Sequence, residues 1–303
     1  MAGSTQVEIP SLLGRAAVVT GATGGLGHET AIALAKAGAQ VILTGRDDRK
    51  GQSSLDRIRR ETTAANVSYE PLDLASLASI ADFVRRMHAV QSLDLLICNA
   101  GVMALPRRQI TVDGFEMQFG TNYLGHFALT ARLLPLLRLA DEPRVVSVSS
   151  LAHRTGFIDF SDLQGARLYS PWKAYGQSKL AMLMFALDLQ RRSDAAGWKL
   201  TSIAAHPGFA RTGLFASGPG GLLSLATDFA APFFGQSAAD GARPILFAAT
   251  SPEARPGVYY GPGGMGELRG APAKALILPQ ARDAAMAARL WDLSETLTGT
   301  SFE

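Results

Sequence analysis

Short, continuously apolar runs alternate along this chain with longer stretches whose apolar residues recur every three to four positions. The runs are Ala16–Thr20, Val41–Thr44, Leu93–Cys98, Val145–Val148 and Leu200–Ala205, with a weaker one at Val67–Leu72. Apolar runs without alternation predict strands buried on both faces. The stretches between them predict helices over Leu26–Ala37, Arg49–Glu61, Ser76–Ala89, Asp113–Leu137 and Ala174–Arg192. Strand–helix alternation of this kind predicts right-handed βαβ units and a doubly wound parallel α/β sheet with helices on both faces. A ligand is then expected at the carboxyl ends of the strands. The Gly/Pro-rich stretch Gly213–Gly221 resembles a linker, but the apolar segment Leu222–Phe234 follows at once. Two readings stay open there: a lid over an apolar ligand, about residues 209–235, or a surface loop with one amphipathic turn. Residues 1–303 are therefore read as one domain.

Composition narrows the class. Of 303 residues, 47% are hydrophobic and 18% charged, which allows a large core and argues against disorder. The net charge is only +3, and the basic clusters (Arg57, Arg59, Arg60; Arg85, Arg86; Arg191, Arg192) fall on predicted helices. Solvated helix faces explain them better than a nucleic-acid groove. Cys98 is the single cysteine, so no intrachain disulfide forms, and a cytoplasmic setting is expected. Met1–Arg15 lacks the pattern of a signal peptide, and no apolar run reaches membrane-spanning length.

Chemistry enters at the first strand–helix junction, Thr20-Gly21-Ala22-Thr23-Gly24-Gly25-Leu26-Gly27. Glycines there allow a sharp turn and close approach to a pyrophosphate, and the helix N-terminus offers N–H groups and its positive dipole end. Because Gly24 and Gly25 are adjacent, the loop fits two spacings, Thr-Gly-x-x-x-Gly-x-Gly and Thr-Gly-x-x-Gly-x-x-Gly. After the second strand, Gly45 stands where an acid would bind the ribose of NAD, and Arg46 follows. A guanidinium at that point suits a 2′-phosphate, so NADP(H) is the expected cofactor. Asp47 and Asp48 are expected to open the next helix, where acids suit the dipole.

Far downstream, Tyr175 and Lys179 stand at i and i+4 of a predicted helix and share one face. A nearby ammonium is expected to lower the phenol's pKa and make Tyr175 a usable acid or base. Ser149 and Ser150 end a buried strand at its carboxyl edge, where a hydroxyl can donate to a substrate oxygen or satisfy backbone. Asn99-Ala100-Gly101 closes the preceding strand. Asn122 is an amide inside an apolar helical stretch, either orienting a water or held structurally. His126, His153 and His206 show no metal-ligand spacing and read as structural. No Gly-x-Ser-x-Gly elbow is present, which disfavours a hydrolase.

From about Gly14 to Gly299 the chain resembles the short-chain dehydrogenase/reductase family, in its retinol-dehydrogenase-like and bacterial carbonyl-reductase branch. The resemblance implies a Rossmann-type fold. It also implies a phosphate loop at Gly21, Thr23, Gly24, Gly25, Leu26 and Gly27, adenine contacts at Asp73 and Leu74, and a nicotinamide segment at Pro207, Gly208 and Thr212. Asn99-Ala100-Gly101 matches the family's Asn-Asn-Ala-Gly, with Cys98 in place of the first Asn, and it disfavours an epimerase of nucleotide sugars. Asn122, Ser150, Tyr175 and Lys179 match the catalytic tetrad. Of the two serines the second is implied, 25 residues before Tyr175 and separated from it by the insertion Leu151–Pro171. In that family the lysine also holds the nicotinamide ribose and the asparagine holds a relay water. Gly257-Val258-Tyr259-Tyr260-Gly261 resembles the last strand, and Arg289-Leu290-Trp291 belongs to a closing helix.

The expectation is an NADP(H)-dependent oxidoreductase interconverting a carbonyl and an alcohol. The substrate is expected to be lipophilic, because Leu214, Phe215, Leu222, Leu223, Phe229, Phe233 and Phe234 crowd the candidate lid. The alternative is an NADP(H)-binding redox sensor without turnover. Relatives pair through two long helices, so a homodimer or homotetramer is implied.

Overall fold

The computed structural model describes residues 7–62, 66–87, 90–209 and 236–302. Eight strands form one sheet in the order β3-β2-β1-β4-β5-β6-β7-β8. They are β1 (Ala16–Val19), β2 (Gln40–Gly45), β3 (Val67–Pro71), β4 (Leu95–Cys98), β5 (Arg144–Val148), β6 (Thr201–Ala205), β7 (Tyr259–Pro262) and β8 (Pro272–Lys274). All pair in parallel except β7 with β8. The expected Rossmann-type sheet is present. The chain order reverses between β1 and β4, and that switch point opens a crevice at the carboxyl ends of the strands.

Alternate residues of each strand face opposite layers. Val18, Leu96, Cys98 and Val145 enter a core shared with α3 (Leu77–Arg86), α4 (Gly125–Leu137), α5 (Pro171–Ala196) and α7 (Ala284–Thr298). Ala17, Val19, Ile97 and Val146 enter the other, under α1 (Gly25–Lys36), α2 (Asp48–Glu61) and α6 (Ala238–Thr250). Trp291 of α7 seals the first layer, its ring 5.0 Å from Phe127 and 5.7 Å from Phe185. Among the described residues, no helix is long and apolar enough to cross a membrane.

Three departures from the sequence reading matter. The helix expected over Asp113–Leu137 is broken. A turn closes at Gly114 (φ +87°), where Thr111 Oγ1 accepts from Phe115 N–H. A short helical turn, Met117–Phe119, then leads into a π-turn, Gly120–Leu124, before α4 begins. Gly125 fits only because a Cβ there would lie 2.4 Å from the Leu74 carbonyl. The π-turn adds one residue per turn and re-aims Asn122, a known use of such bulges. The other departures are α6 and β8, which the apolar pattern does not reveal. Of the candidate lid, residues 210–235 lie outside the described residues.

Candidate active site

The glycine loop is built against the end of β4. Gly21 (φ +65°) and Gly25 (φ +54°) both hold left-handed backbone, whereas Gly24 (φ 175°) is extended and within reach of any residue. The backbone therefore selects the spacing Gly21-x-x-x-Gly25-x-Gly27. A Cβ at Gly21 would lie 2.9 Å from Ala100, and one at Gly27 would lie 2.5 Å from Asn99 Nδ2. Asn99 Nδ2 also donates to the Thr20 carbonyl (2.8 Å), which fastens the two strand ends together. Gly24 caps α1 with no side chain. A Cβ at Gly24 would meet nothing within 4 Å, so the first turn of α1 faces open space ready for an anion.

These residues line one groove of about 390 Å³, with Thr23, Leu26, Arg46, Asp73, Leu74, Asn99, Ala100 and Gly101. The groove also takes in Lys50, Val102 and Thr121, which the sequence reading missed. At its outer end Arg46 and Lys50 stand together, while both nearby acids are engaged. Asp47 caps α2 by accepting from Lys50 N–H (3.1 Å), and Asp48 shares the single Tyr69 hydroxyl hydrogen (3.1 Å) with the Gly45 carbonyl (2.8 Å). A Cβ on Gly45 would press on the Thr23 methyl at 2.4 Å, so an acid is not accommodated there without movement.

The groove runs to Gly101 and Val102, which adjoin Asn122 and Lys179 of the tetrad. Asn122 spends both amide hydrogens, Nδ2 donating to the Val102 carbonyl and Ser178 Oγ (both 2.9 Å), while Oδ1 accepts from Val102 N–H (2.7 Å). A water at this residue can therefore only donate to it, at Oδ1 or at its backbone carbonyl. That carbonyl already accepts from His126 Nδ1 (2.8 Å) and retains a second lone pair. Burial lowers the His126 pKa to about 4, so the ring is neutral. With Nδ1 as donor, Nε2 must accept, and the Thr20 hydroxyl supplies the hydrogen at 2.9 Å. His126 thus ties the strand before the glycine loop to the π-turn that carries Asn122.

The two adjacent serines have different roles. Ser149 is buried and donates to the Lys179 carbonyl (2.7 Å), a structural bond. Ser150 caps a 3-10 turn, Leu151–Thr155, with its Oγ accepting from Ala152 N–H at 3.2 Å. Its side chain lies beside the Tyr175 hydroxyl. Lys179 Nζ donates to the Val148 carbonyl (2.9 Å) and lies 5.8 Å from the centre of the Tyr175 ring. Gly101 packs closely on Asn122, since a Cβ there would fall 3.0 Å from Oδ1. One electrostatic expectation is corrected. Tyr175 is not lowered by the lysine but pushed up to about 12 by burial, against a smaller lowering from Ser150. Burial also brings Lys179 down to about 8. The ammonium reaches past the phenol to the strand carbonyl, so desolvation wins and Tyr175 is a neutral phenol. Met103 and Ala104 pack on Tyr175, and the Trp172 ring stands edge-on to it at 6.1 Å.

Pro207 and Gly208 follow β6 on the same carboxyl edge. Gly208 (φ +65°) is pressed against the Leu268 carbonyl, which a Cβ would meet at 2.4 Å. Thr212 lies outside the described residues.

Comparison with known proteins bears on what this arrangement is. The chain is 44% identical to polyprenol dehydrogenase of Mus musculus over 296 residues, covering 96% of this chain and 86% of that protein. It is 39% identical to retinol dehydrogenase 12 of Mus musculus over 303 residues, covering 99% and 90%. Among solved structures, an uncharacterised protein of Mycobacterium paratuberculosis aligns over the whole of both chains with 42% identity and a TM-score of 0.81. A short chain dehydrogenase of Shigella flexneri solved with NADP aligns over 83% of this chain and 98% of its own, with 26% identity and a TM-score of 0.66. The family profile for short chain dehydrogenase matches residues 15–219. The chain therefore belongs to the short-chain dehydrogenase family, on its retinol-dehydrogenase-like side, and is an oxidoreductase of alcohol and carbonyl groups.

Proposed function

We propose that this protein is an NADP(H)-dependent reductase/dehydrogenase of a lipophilic carbonyl or alcohol. The observation that carries the reading is the groove that takes in Arg46, Lys50 and the glycine loop and runs to Gly101 and Val102, beside which Asn122 and Lys179 stand. Its glycine cradle accepts a pyrophosphate, and the two cations suit a 2′-phosphate while the neighbouring acids are engaged. The NADP in the Shigella flexneri relative supports this choice. The bound nicotinamide would supply or take up the hydride.

The remaining steps fall to this chain. Ser150 donates a hydrogen bond to the substrate oxygen and orients it. Tyr175, a neutral phenol, gives its proton to that oxygen as negative charge develops, or takes it back in oxidation. Lys179 stabilises the resulting phenolate and holds the ribose hydroxyls. Asn122 fixes Val102 and, through its carbonyl, supports a water that returns the proton. By the family resemblance Asp73 and Leu74 would contact the adenine, and Asn99, Ala100, Gly101, Pro207 and Gly208 would flank the nicotinamide. A lipophilic substrate is consistent with the apolar surroundings of Tyr175, where Met103, Ala104 and Trp172 pack. It is also supported by the two mouse relatives, a polyprenol dehydrogenase and a retinol dehydrogenase. We read residues 1–303 as one catalytic unit in the cytoplasm.

The test is turnover of NADPH by the purified protein on a panel of aldehydes and ketones, with an NADH arm and Tyr175→Phe beside it. Turnover that disappears in Tyr175→Phe is expected. Tight NADPH binding with no turnover on any carbonyl would favour a redox sensor instead.

A further inference from the structure

Behind the catalytic residues lies a buried chain of charged and polar groups that the reaction scheme does not use. His206 follows β6 directly before Pro207-Gly208, and its ring is fully buried. Its Nδ1 accepts from Gly208 N–H at 3.1 Å, a bond that an imidazolium cannot make. The ring proton therefore sits on Nε2 and is donated to Glu267 Oε2 at 3.0 Å. The same Oε2 receives Arg154 Nη2 at 2.7 Å, and Oε1 accepts from Leu276 N–H at 3.0 Å. Glu267 holds left-handed backbone (φ +58°), an uncommon state for a non-glycine residue. A Cβ on Gly261 would fall 1.9 Å from the imidazole, so glycine clears the space that the ring occupies.

The chain joins three parts of the site. Arg154 belongs to the 3-10 turn that Ser150 caps, and its neighbour His153 bonds the Ser150 carbonyl at 2.7 Å. His206 leads into Pro207-Gly208. Glu267 belongs to the segment whose next residue, Leu268, bonds Phe209 N–H at 2.9 Å.

We propose that His206 and Glu267, anchored by Arg154, are positioning residues for hydride transfer. The carboxylate selects the Nε2–H tautomer, the free Nδ1 then fixes the Gly208 turn, and that turn sets the nicotinamide seat relative to Ser150. This rests on the reading of Pro207-Gly208 as the nicotinamide segment. Burial lowers the His206 pKa, in keeping with the neutral ring.

The experiment compares His206→Leu, His206→Asn and Glu267→Gln with wild type. Calorimetry measures Kd for NADPH and for 2′,5′-ADP, which carries only the adenine end. Kinetics measure kcat and the isotope effect with NADPH deuterated at C4, on whichever carbonyl wild type reduces. His206→Leu is expected to keep the 2′,5′-ADP affinity, weaken NADPH several-fold, and lower kcat by about 100-fold with a larger isotope effect, as an ångström of misplacement does. His206→Asn should recover much of kcat, because an asparagine oxygen can accept from the N–H two residues on. Glu267→Gln should lie between. An unchanged kcat and isotope effect in His206→Leu would overturn the proposal, as would equal loss of both affinities, which marks a merely structural role. Wild type without turnover would instead refute the enzymatic reading, while the difference between the two affinities would still test the seat.

Discussion

The sharpest quantitative consequence concerns Arg46 and Lys50. Both line the groove, beside Asp47, which accepts from Lys50 N–H, and Asp48, which lies 3.1 Å from the Tyr69 hydroxyl. A hydrogen bond to a charged group contributes about 1.5–3 kcal/mol. Arg46 and Lys50 are solvent-exposed, so the lower end applies, and 1.4 kcal/mol is about tenfold in affinity. Arg46→Ala and Lys50→Ala should each raise KM for NADPH by about tenfold. The double variant should reach about 100-fold, or less if both cations share one phosphate oxygen. KM for NADH should stay within about twofold, because its ribose carries no phosphate for these cations to meet. Raising NaCl from about 50 to about 500 mM should weaken NADPH in wild type and leave the double variant nearly indifferent. Initial rates against each cofactor at both salt concentrations measure all of this. If the double variant loses NADPH and NADH equally, the cations are not reading the 2′-phosphate and the cofactor assignment fails.

Tyr175→Phe should abolish turnover while NADPH still binds, measured by stopped assays beside calorimetry; residual activity above about 1% would remove the phenol from the proton step. Lys179 makes a pH signature in stability. Its pKa falls from 10.5 unfolded to about 8 folded, so between those values the unfolded chain binds more protons and stability rises with pH. The rise integrates to roughly 3 kcal/mol and should vanish in Lys179→Met, as urea unfolding at pH 7.5 and 10 would show. Trp291→Ala should cost about 3–5 kcal/mol in the same assay, since its ring closes the cluster of Phe127, Phe185 and Phe302, yet leave the NADPH Kd unchanged.

Much of this molecule is written locally. Strands buried on both faces must be apolar throughout, so β1, β2, β4, β5 and β6 stand out in the chain. Pro171 at the start of α5 and Gly197 (φ +67°) just past its end bound the helix that carries Tyr175 and Lys179. A four-residue spacing on one helix needs no tertiary information, and neither does the identity of Arg46. The helix α6 was also legible in principle, since Ser237 Oγ accepts from Asp240 N–H in a Ser-x-x-Asp cap, but its apolar face is too short to announce it.

Other features needed the folded chain. Gly24 and Gly25 are equivalent in the sequence, and only the backbone shows that Gly25 must be left-handed. Ser149 and Ser150 differ by one position, and the pleat turns one to the Lys179 carbonyl and the other to Tyr175. The π-turn at Asn122 is accompanied by close packing of Gly120 on Thr111 and of Gly125 on Leu74, the second a contact far apart in the chain. The pKa of Tyr175 is set by burial, which spacing does not encode. The histidines read in the sequence as isolated because their partners are long-range: Thr20 lies 106 residues from His126, and Glu267 lies 61 residues from His206. Sequence records which groups are present and which share an element. Tautomers, register and desolvation depend on what other elements press against those groups, and only tertiary packing decides that.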